Sequence, residues 1–147
     1  MNVTYKIVSF YCFSQIAENE LVKLKAKLEK FEGKGISGLI ILAKEGINGT
    51  ICGKGKIVNI FHREIKIFLK DQDLNEKISF SEKKIFKKLK IKIKSEIVTM
   101  GINNISPEEK SGIYVDSEKW NNLIADENTI VIDTRNHYEV SLGSFDN

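Results

Sequence analysis

The sequence predicts an α+β protein: a ferredoxin-like βαββαβ domain with one extra strand, followed by the incomplete start of an α/β unit. Three observations carry this. Apolar spacing along the first hundred residues changes in the order strand, helix, strand, strand, helix, strand, which is the split βαβ order. A polar stretch, GINNISPEEKSG, then holds the only proline, Pro107. Charge also reverses along the chain: residues 1–107 carry 20 Lys and Arg against 11 Asp and Glu, whereas residues 108–147 carry 3 against 9.

Tyr5 to Phe13 (YKIVSFYCF) is β-branched and aromatic and reads as a buried strand. From Glu18 to Phe31, Leu21, Leu24, Leu28 and Phe31 recur at steps of three and four, with lysines between them, until Gly33 and Gly35 stop the pattern. Ser37 to Ala43 (SGLIILA) is the second strand. Asn48-Gly49 suits a type I′ turn, so the third strand is expected at about Thr50–Cys52. Residues 57–69 return to helical spacing, with Ile57, Ile60, Phe61, Ile65, Phe68 and Leu69 on one stripe. Leu74–Phe80 supplies a short strand. Leu89, Ile91 and Ile93 alternate with Lys90, Lys92 and Lys94, predicting a strand over 89–97 with one buried face. The first domain is placed at 1–101, a linker at 102–112 and the second unit at 113–147. In that unit Ser117–Ala125 reads as a short helix and Thr129–Ile132 (TIVI) as a strand leading into Asp133-Thr134-Arg135.

An apolar fraction of 41% over 147 residues is enough for a packed core. No apolar run reaches membrane-span length and the N-terminus lacks a secretory pattern, so a cytoplasmic protein with no membrane partner is expected. Cys12 and Cys52 have neither CxxC spacing nor a histidine at ligand spacing, so they read as small buried hydrophobes and no metal site is expected. His62 reads as a surface or boundary histidine. No Ser/His/Asp or Cys/His constellation can be assembled.

The basic half is a candidate for a polyanion. Lys83 to Lys94 holds seven lysines and no acid, and Lys90, Lys92 and Lys94 share one strand face at steps of about 6.8 Å. That step is close to the phosphate spacing of an extended single strand and suits an RNA backbone; a merely solvated sheet face reads equally well. The stretch AKEGINGT, followed by Gly53 and Gly55, also has two readings. A hairpin turn needs only Asn48 and Gly49. Converging backbone N–H groups beside Lys44, Lys54 and Lys56, next to a helix N-terminus, would instead cradle an anion. A phosphate loop is excluded, because GxxxxGK[ST] is absent.

AKEGINGT at 43–50, KLKIKIKSEIVTMG at 88–101 and VIDTRNHYEVSLGSF at 131–145 together resemble the N-terminal portion of the rhodanese-domain tRNA uridine(34) hydroxylase family, over essentially the whole chain. The resemblance implies an enzyme that converts the wobble uridine of tRNA to 5-hydroxyuridine, with molecular oxygen as co-substrate and tRNA as partner. No further cofactor is identifiable. Glu45, Gly46, Asn48, Gly49 and Thr50 fall on the family's N-terminal signature, and Asp133, Arg135, Tyr138 and Glu139 on the opening of the rhodanese module. The first set is expected to build an inter-domain or RNA-facing corner, the second to be scaffold. The RNA contacts expected are Lys44, Asn48, Lys54, Lys56, Lys88, Lys90, Lys92 and Lys94. The cysteine loop of the rhodanese module has no counterpart in residues 1–147, so no catalytic residue is assigned, the chain is read as truncated, and by itself it is expected to be inactive. Strand edges in the incomplete half would favour self-association. The alternatives are a rhodanese-type sulfurtransferase and a non-catalytic RNA-binding or interaction module. Acylphosphatase chemistry is disfavoured, because the arginine-bearing glycine loop it needs before the first helix is missing.

Overall fold

The computed structural model describes residues 4–70, 72–98 and 112–145. They fall into two compact units, one within 1–110 and one within 111–147. The expected end of the first domain at 99–101 and the linker, apart from Gly112, lie outside the described residues.

In the first unit, β1 (Tyr5–Phe13), α1 (Glu18–Glu29), β2 (Ile36–Ala43), β3 (Gly46–Gly53), α2 (Gly55–Leu69), β4 (Asn75–Ser81) and β5 (Leu89–Ile93) follow one another. They build a five-stranded sheet in the order β4-β1-β3-β2-β5. The first four strands pair antiparallel, and β5 adds to the outer edge of β2 in parallel. This is the ferredoxin-like arrangement with one appended strand.

Alternation of side chains assigns each strand residue to a face. Val8, Phe10, Cys12, Ile40, Leu42, Ile47, Ile51, Leu89 and Ile91 point toward the helices and are buried with Leu21, Leu24 and Leu28 of α1 and Val58, Phe61, Ile65 and Leu69 of α2. The ring of Phe31 meets Phe61 edge-on at 5.0 Å. Among the described residues of the first unit, no helix packs on the opposite face. Across it run two rows in register: Lys77, Ser9, Thr50, Leu39, Lys90 and Asn75, Tyr11, Asn48, Ile41, Lys92.

Asn48-Gly49 is not the hairpin turn. Ala43 pairs with Gly46, which leaves Lys44-Glu45 as the two-residue loop and places Asn48 and Gly49 opposite Ile41 and Ile40 inside the ladder. The reason is burial: this register puts Ile47 and Ile51 into the core, and a turn at 48–49 would send Ile47 to the opposite face. Gly46 takes the positive φ, at 148°, and a Cβ there would overlap the Cys12 carbonyl oxygen. Gly53 ends β3 and Gly55 starts α2, so neither belongs to the turn. β5 is also shorter than expected. β2 runs out at Ala43; Lys94 N donates to Leu42 O at 2.9 Å, and the chain then leaves the sheet.

The second unit holds α3 (Ser117–Ile124) and the single turn α4 (His137–Val140). Asp116 caps α3 by accepting from Lys119 N at 2.8 Å. The expected strand 129–132 does not form. Among the described residues nothing pairs with it, and Ile130 and Ile132 are exposed. β-branched residues favour a ladder, but a strand needs a neighbour.

Candidate nucleic-acid interface

The EGINGT stretch is built as a brace. Glu45 Oε1 accepts from Ile97 N at 2.7 Å, and Asn48 Nδ2 donates to Ile97 O at 3.1 Å. Both backbone groups of one residue are thus held by two side chains about fifty positions earlier, and Ile97 is buried at 2% exposure. The carbonyls of Lys44 and Glu45 accept from Ile16 N and Ser14 N, tying the turn to the β1–α1 connection. Gly49 lies against Leu39 O and the Phe10 ring, where a Cβ would be crowded. Thr50 shares a 3.0 Å hydroxyl contact with Ser9. Each signature residue therefore joins two parts of the first unit.

This geometry separates the lysines that the sequence set around one corner. Lys44 and Lys54 stand at opposite ends of β3, roughly 26 Å apart for eight extended residues. Lys44 pairs with Glu18 at 3.0 Å, so its charge is already opposed. Lys54 and Lys56 start α2. Lys88, Lys90, Lys92 and Lys94 run along β5 and are exposed, while Leu89 and Ile91 anchor the strand in the core. Among the described residues none of these six lysines has a carboxylate within 4.0 Å.

The sheet face beside β5 is partly apolar. Leu39 and Ile41 lie directly inside Lys90 and Lys92, and with Asn48, Gly49, Thr50 and Phe86 they line a hollow of about 230 Å³. A neighbouring hollow of about 350 Å³ is lined by Ser9, Tyr11, Asn48, Thr50, Asn75 and Lys77 among others. The brace at Ile97 bounds this face at Asn48. An exposed cationic strand beside a concave, partly apolar sheet can hold phosphates on one side and bases on the other. Lys77 was not expected here; it reaches the face only through the pairing of β4 with β1.

The remaining candidates serve local structure. His62 lies between α2 and β4, its Nε2 3.0 Å from Glu76 Oε2 but outside hydrogen-bond geometry, with the Phe10 ring nearby. Burial holds its pKa below the usual 6.5, Glu76 opposes that, and Lys66 and Lys6 add to it. Lys66 donates to Glu76 at 2.8 Å and lowers the carboxylate's pKa, with His62 and Lys66 adding to it by charge. In the second unit, Arg135 Nη2 meets Asp133 Oδ2 at 2.6 Å and donates to Gly143 O, while Ser144 Oγ donates to Asp133. The guanidinium and the Arg135 N–H hold the Asp133 carboxyl well below the usual carboxylate range. Asn136 and Glu139 form a capping box on α4, and Tyr138 is exposed. Among the described residues no group of three or more His, Cys, Asp or Glu could hold a metal ion, and no helix is long and apolar enough to cross a membrane.

Residues 5–97 match the model of the UPF0176 acylphosphatase like domain. The connection from β1 to α1, Ser14–Ala17, has no arginine. The chain is 55% identical over 145 residues to a tRNA uridine(34) hydroxylase of Prochlorococcus marinus subsp. pastoris (strain CCMP1986 / NIES-2087 / MED4), covering 98% of this chain and 47% of the relative. A tRNA uridine(34) hydroxylase of P. marinus strain MIT 9515 is 56% identical over 142 residues, covering 96% of this chain and 46% of the relative. One from Bartonella quintana (strain Toulouse) is 41% identical over 145 residues, covering 99% and 47%. The chain therefore spans about half the length of the curated relatives it matches.

Proposed function

The chain belongs to the family of the UPF0176 acylphosphatase like domain, and from that premise we propose that it is the RNA-facing N-terminal part of a cytoplasmic tRNA-modifying enzyme. The enzyme hydroxylates the uridine at position 34 of tRNA to 5-hydroxyuridine, with molecular oxygen as co-substrate. The observation that supports this is the agreement, above 50% identity and across nearly the whole chain, with relatives named tRNA uridine(34) hydroxylase.

In this reading residues 1–101 hold the RNA, residues 102–112 link, and residues 113–147 open a rhodanese-like unit in which Asp133, Arg135 and Glu139 are scaffold. The chain's own residues bind and orient, and none is assigned to the chemical step. Lys88, Lys90, Lys92 and Lys94 supply a row of charge that attracts phosphate without reading sequence. Leu39, Ile41 and Tyr11 offer the bases a surface beside that row. Glu45 and Asn48 fix the segment leaving β5, so the lysine row is held at a set distance from the sheet face.

The test is cellular. Transfer RNA from cells lacking the gene that carries this chain is digested and its nucleosides measured by mass spectrometry. Loss of 5-hydroxyuridine is the expected result, and an unchanged level would contradict the assignment.

A further inference from the structure

At the end of the sheet opposite the Lys44-Glu45 turn, four segments meet around a cavity of about 460 Å³, lined by Tyr5, Lys34, Gly35, Lys54, Lys56, Ile57, Ile60 and Lys84. The topology assembles it: Tyr5 begins β1, Gly35 precedes β2, Lys54 and Lys56 flank the start of α2, and Lys84 follows β4. Four lysines and no acidic residue contribute to the lining. Lys34 also sits 5.7 Å from the Phe31 ring centroid. The amino end of α2 faces the same side. It has no acid in its first turn and no side-chain cap, whereas α1 begins with Glu18 and Glu20. Nothing lies within 4 Å of where a Cβ would stand on Gly55, so the space beside the first turn of α2 is open there.

Four like charges around one hollow repel one another unless an anion joins them. Phosphate suits both the lysines and the free amides of a helix start. A bare anion would leave the rest of the lining unused. The Tyr5 ring and the side chains of Ile57 and Ile60 form an apolar wall beside the lysines, and the volume falls within the range of about 300–1,000 Å³ usual for small-ligand sites. A planar base joined to a phosphate matches both halves.

We propose that this cavity is a subsite for one nucleotide unit of the bound RNA, its phosphate held by Lys54, Lys56 and the first turn of α2 and its base laid against Tyr5, Ile57 and Ile60. The inference rests on the RNA-facing reading above. It makes the cavity a second contact, separate from the β5 lysine row.

The experiment titrates the 147-residue chain with uridine 5′-monophosphate, inorganic phosphate, uridine and a tetraglutamate peptide, followed by amide and methyl NMR, beside anisotropy measurements on tRNA. The monophosphate should shift the amides of Lys54, Gly55, Lys56 and Ile57 and the methyls of Ile60. Phosphate should act on the amides more weakly, and uridine and the peptide should leave them unmoved. The double variant K54E/K56E should weaken monophosphate binding at the cavity by about tenfold or more, and K84E, in a loop, should weaken it less; K90E/K92E should leave the monophosphate-induced shifts of the Lys54, Gly55, Lys56 and Ile57 amides in place. Silent amides, or equal responses to monophosphate, phosphate and peptide, would overturn the subsite. If tRNA binds and depends on Lys90 and Lys92 while the monophosphate is silent, the subsite falls and the RNA face stands. If the monophosphate binds the cavity and tRNA does not bind the chain, the RNA-facing reading falls and the cavity is no RNA subsite.

Discussion

The two units of this chain are held together by opposite means. In the first, residues far apart in sequence pair along four ladders and bury a continuous core, with Val8, Leu28, Ile40, Ile51 and Phe61 all at 0% exposure. In the second, neither helix buries a residue, and Ile113, Tyr114, Ile130, Ile132 and Leu142 are exposed. Its side-chain hydrogen bonds form a cap on α3, a capping box on α4 and an Asp133–Arg135 fork that reaches Gly143 and Ser144, and the Trp120 ring meets Phe145 at 5.5 Å. Local polar geometry therefore shapes a segment without stabilising it, because exposed ion pairs contribute little and stability follows apolar burial. A surface whose side chains must keep fixed spacing for a polyanion belongs on the first unit.

The largest effect that would break this comparison lies at Gly46. Gly46→Ala places a methyl on the Cys12 carbonyl at a positive φ and should cost about 3 kcal/mol or more. At roughly 4–8 °C per kcal/mol for a domain of this size, calorimetry should show the melting temperature falling by more than about 10 °C. An unchanged melt would mean that the turn is free to rearrange. Hydrogen exchange should sharpen the contrast. Core amides of β1 and β3 should be protected at least about a thousandfold more than those of α3 and α4. Comparable protection in both units would remove the distinction.

Glu45→Ala, which leaves the Ile97 N–H without its carboxylate partner, should destabilise the first unit by about 1.5–3 kcal/mol. Glu45→Gln keeps an acceptor and should recover most of that in denaturant unfolding. Asp133→Asn should alter spectra only within the second unit and shift the melt of the first by less than about 0.5 kcal/mol.

The smallest effect is one of pH. Burial lowers the folded-state pKa of His62 below its ordinary 6.5, so the unfolded chain binds more protons just beneath that pH. Stability should therefore decline as pH falls through 6.5 and level off below the folded pKa. Glu76, lowered from 4.5, keeps its charge over that range. Between pH 7.5 and 5.5 the melting temperature of the wild type should fall further than that of His62→Gln.

How far the sequence reveals this molecule depends on the range of the signal. Strand and helix order was legible because Leu21, Leu24 and Leu28, or Leu89 and Ile91, repeat at the period of the element that buries them. The Asn48-Gly49 turn misled because turn preference is local, and the burial of Ile47 and Ile51 overrode it. The strand at 129–132 misled for a related reason, since β-branched residues cannot report whether a partner strand is present. The bonds from Glu45 and Asn48 to Ile97 span 52 and 49 positions and left no trace in local composition. Lys34 and Lys84 are separated by three strands and a helix and come together only through topology. The β5 lysines were legible as a charged face, while the hollow lined by Leu39, Ile41 and Phe86 beside them was not.

The most direct measurement is the affinity of this chain for tRNA by fluorescence anisotropy from 50 to 300 mM salt, beside the triple variant K90E/K92E/K94E. With about three phosphates engaged on a single strand, the logarithm of the binding constant should fall with the logarithm of salt at a slope near −2, and the variant should lose that binding. Equal affinity in the two proteins, or binding indifferent to salt, would contradict an RNA-facing β5.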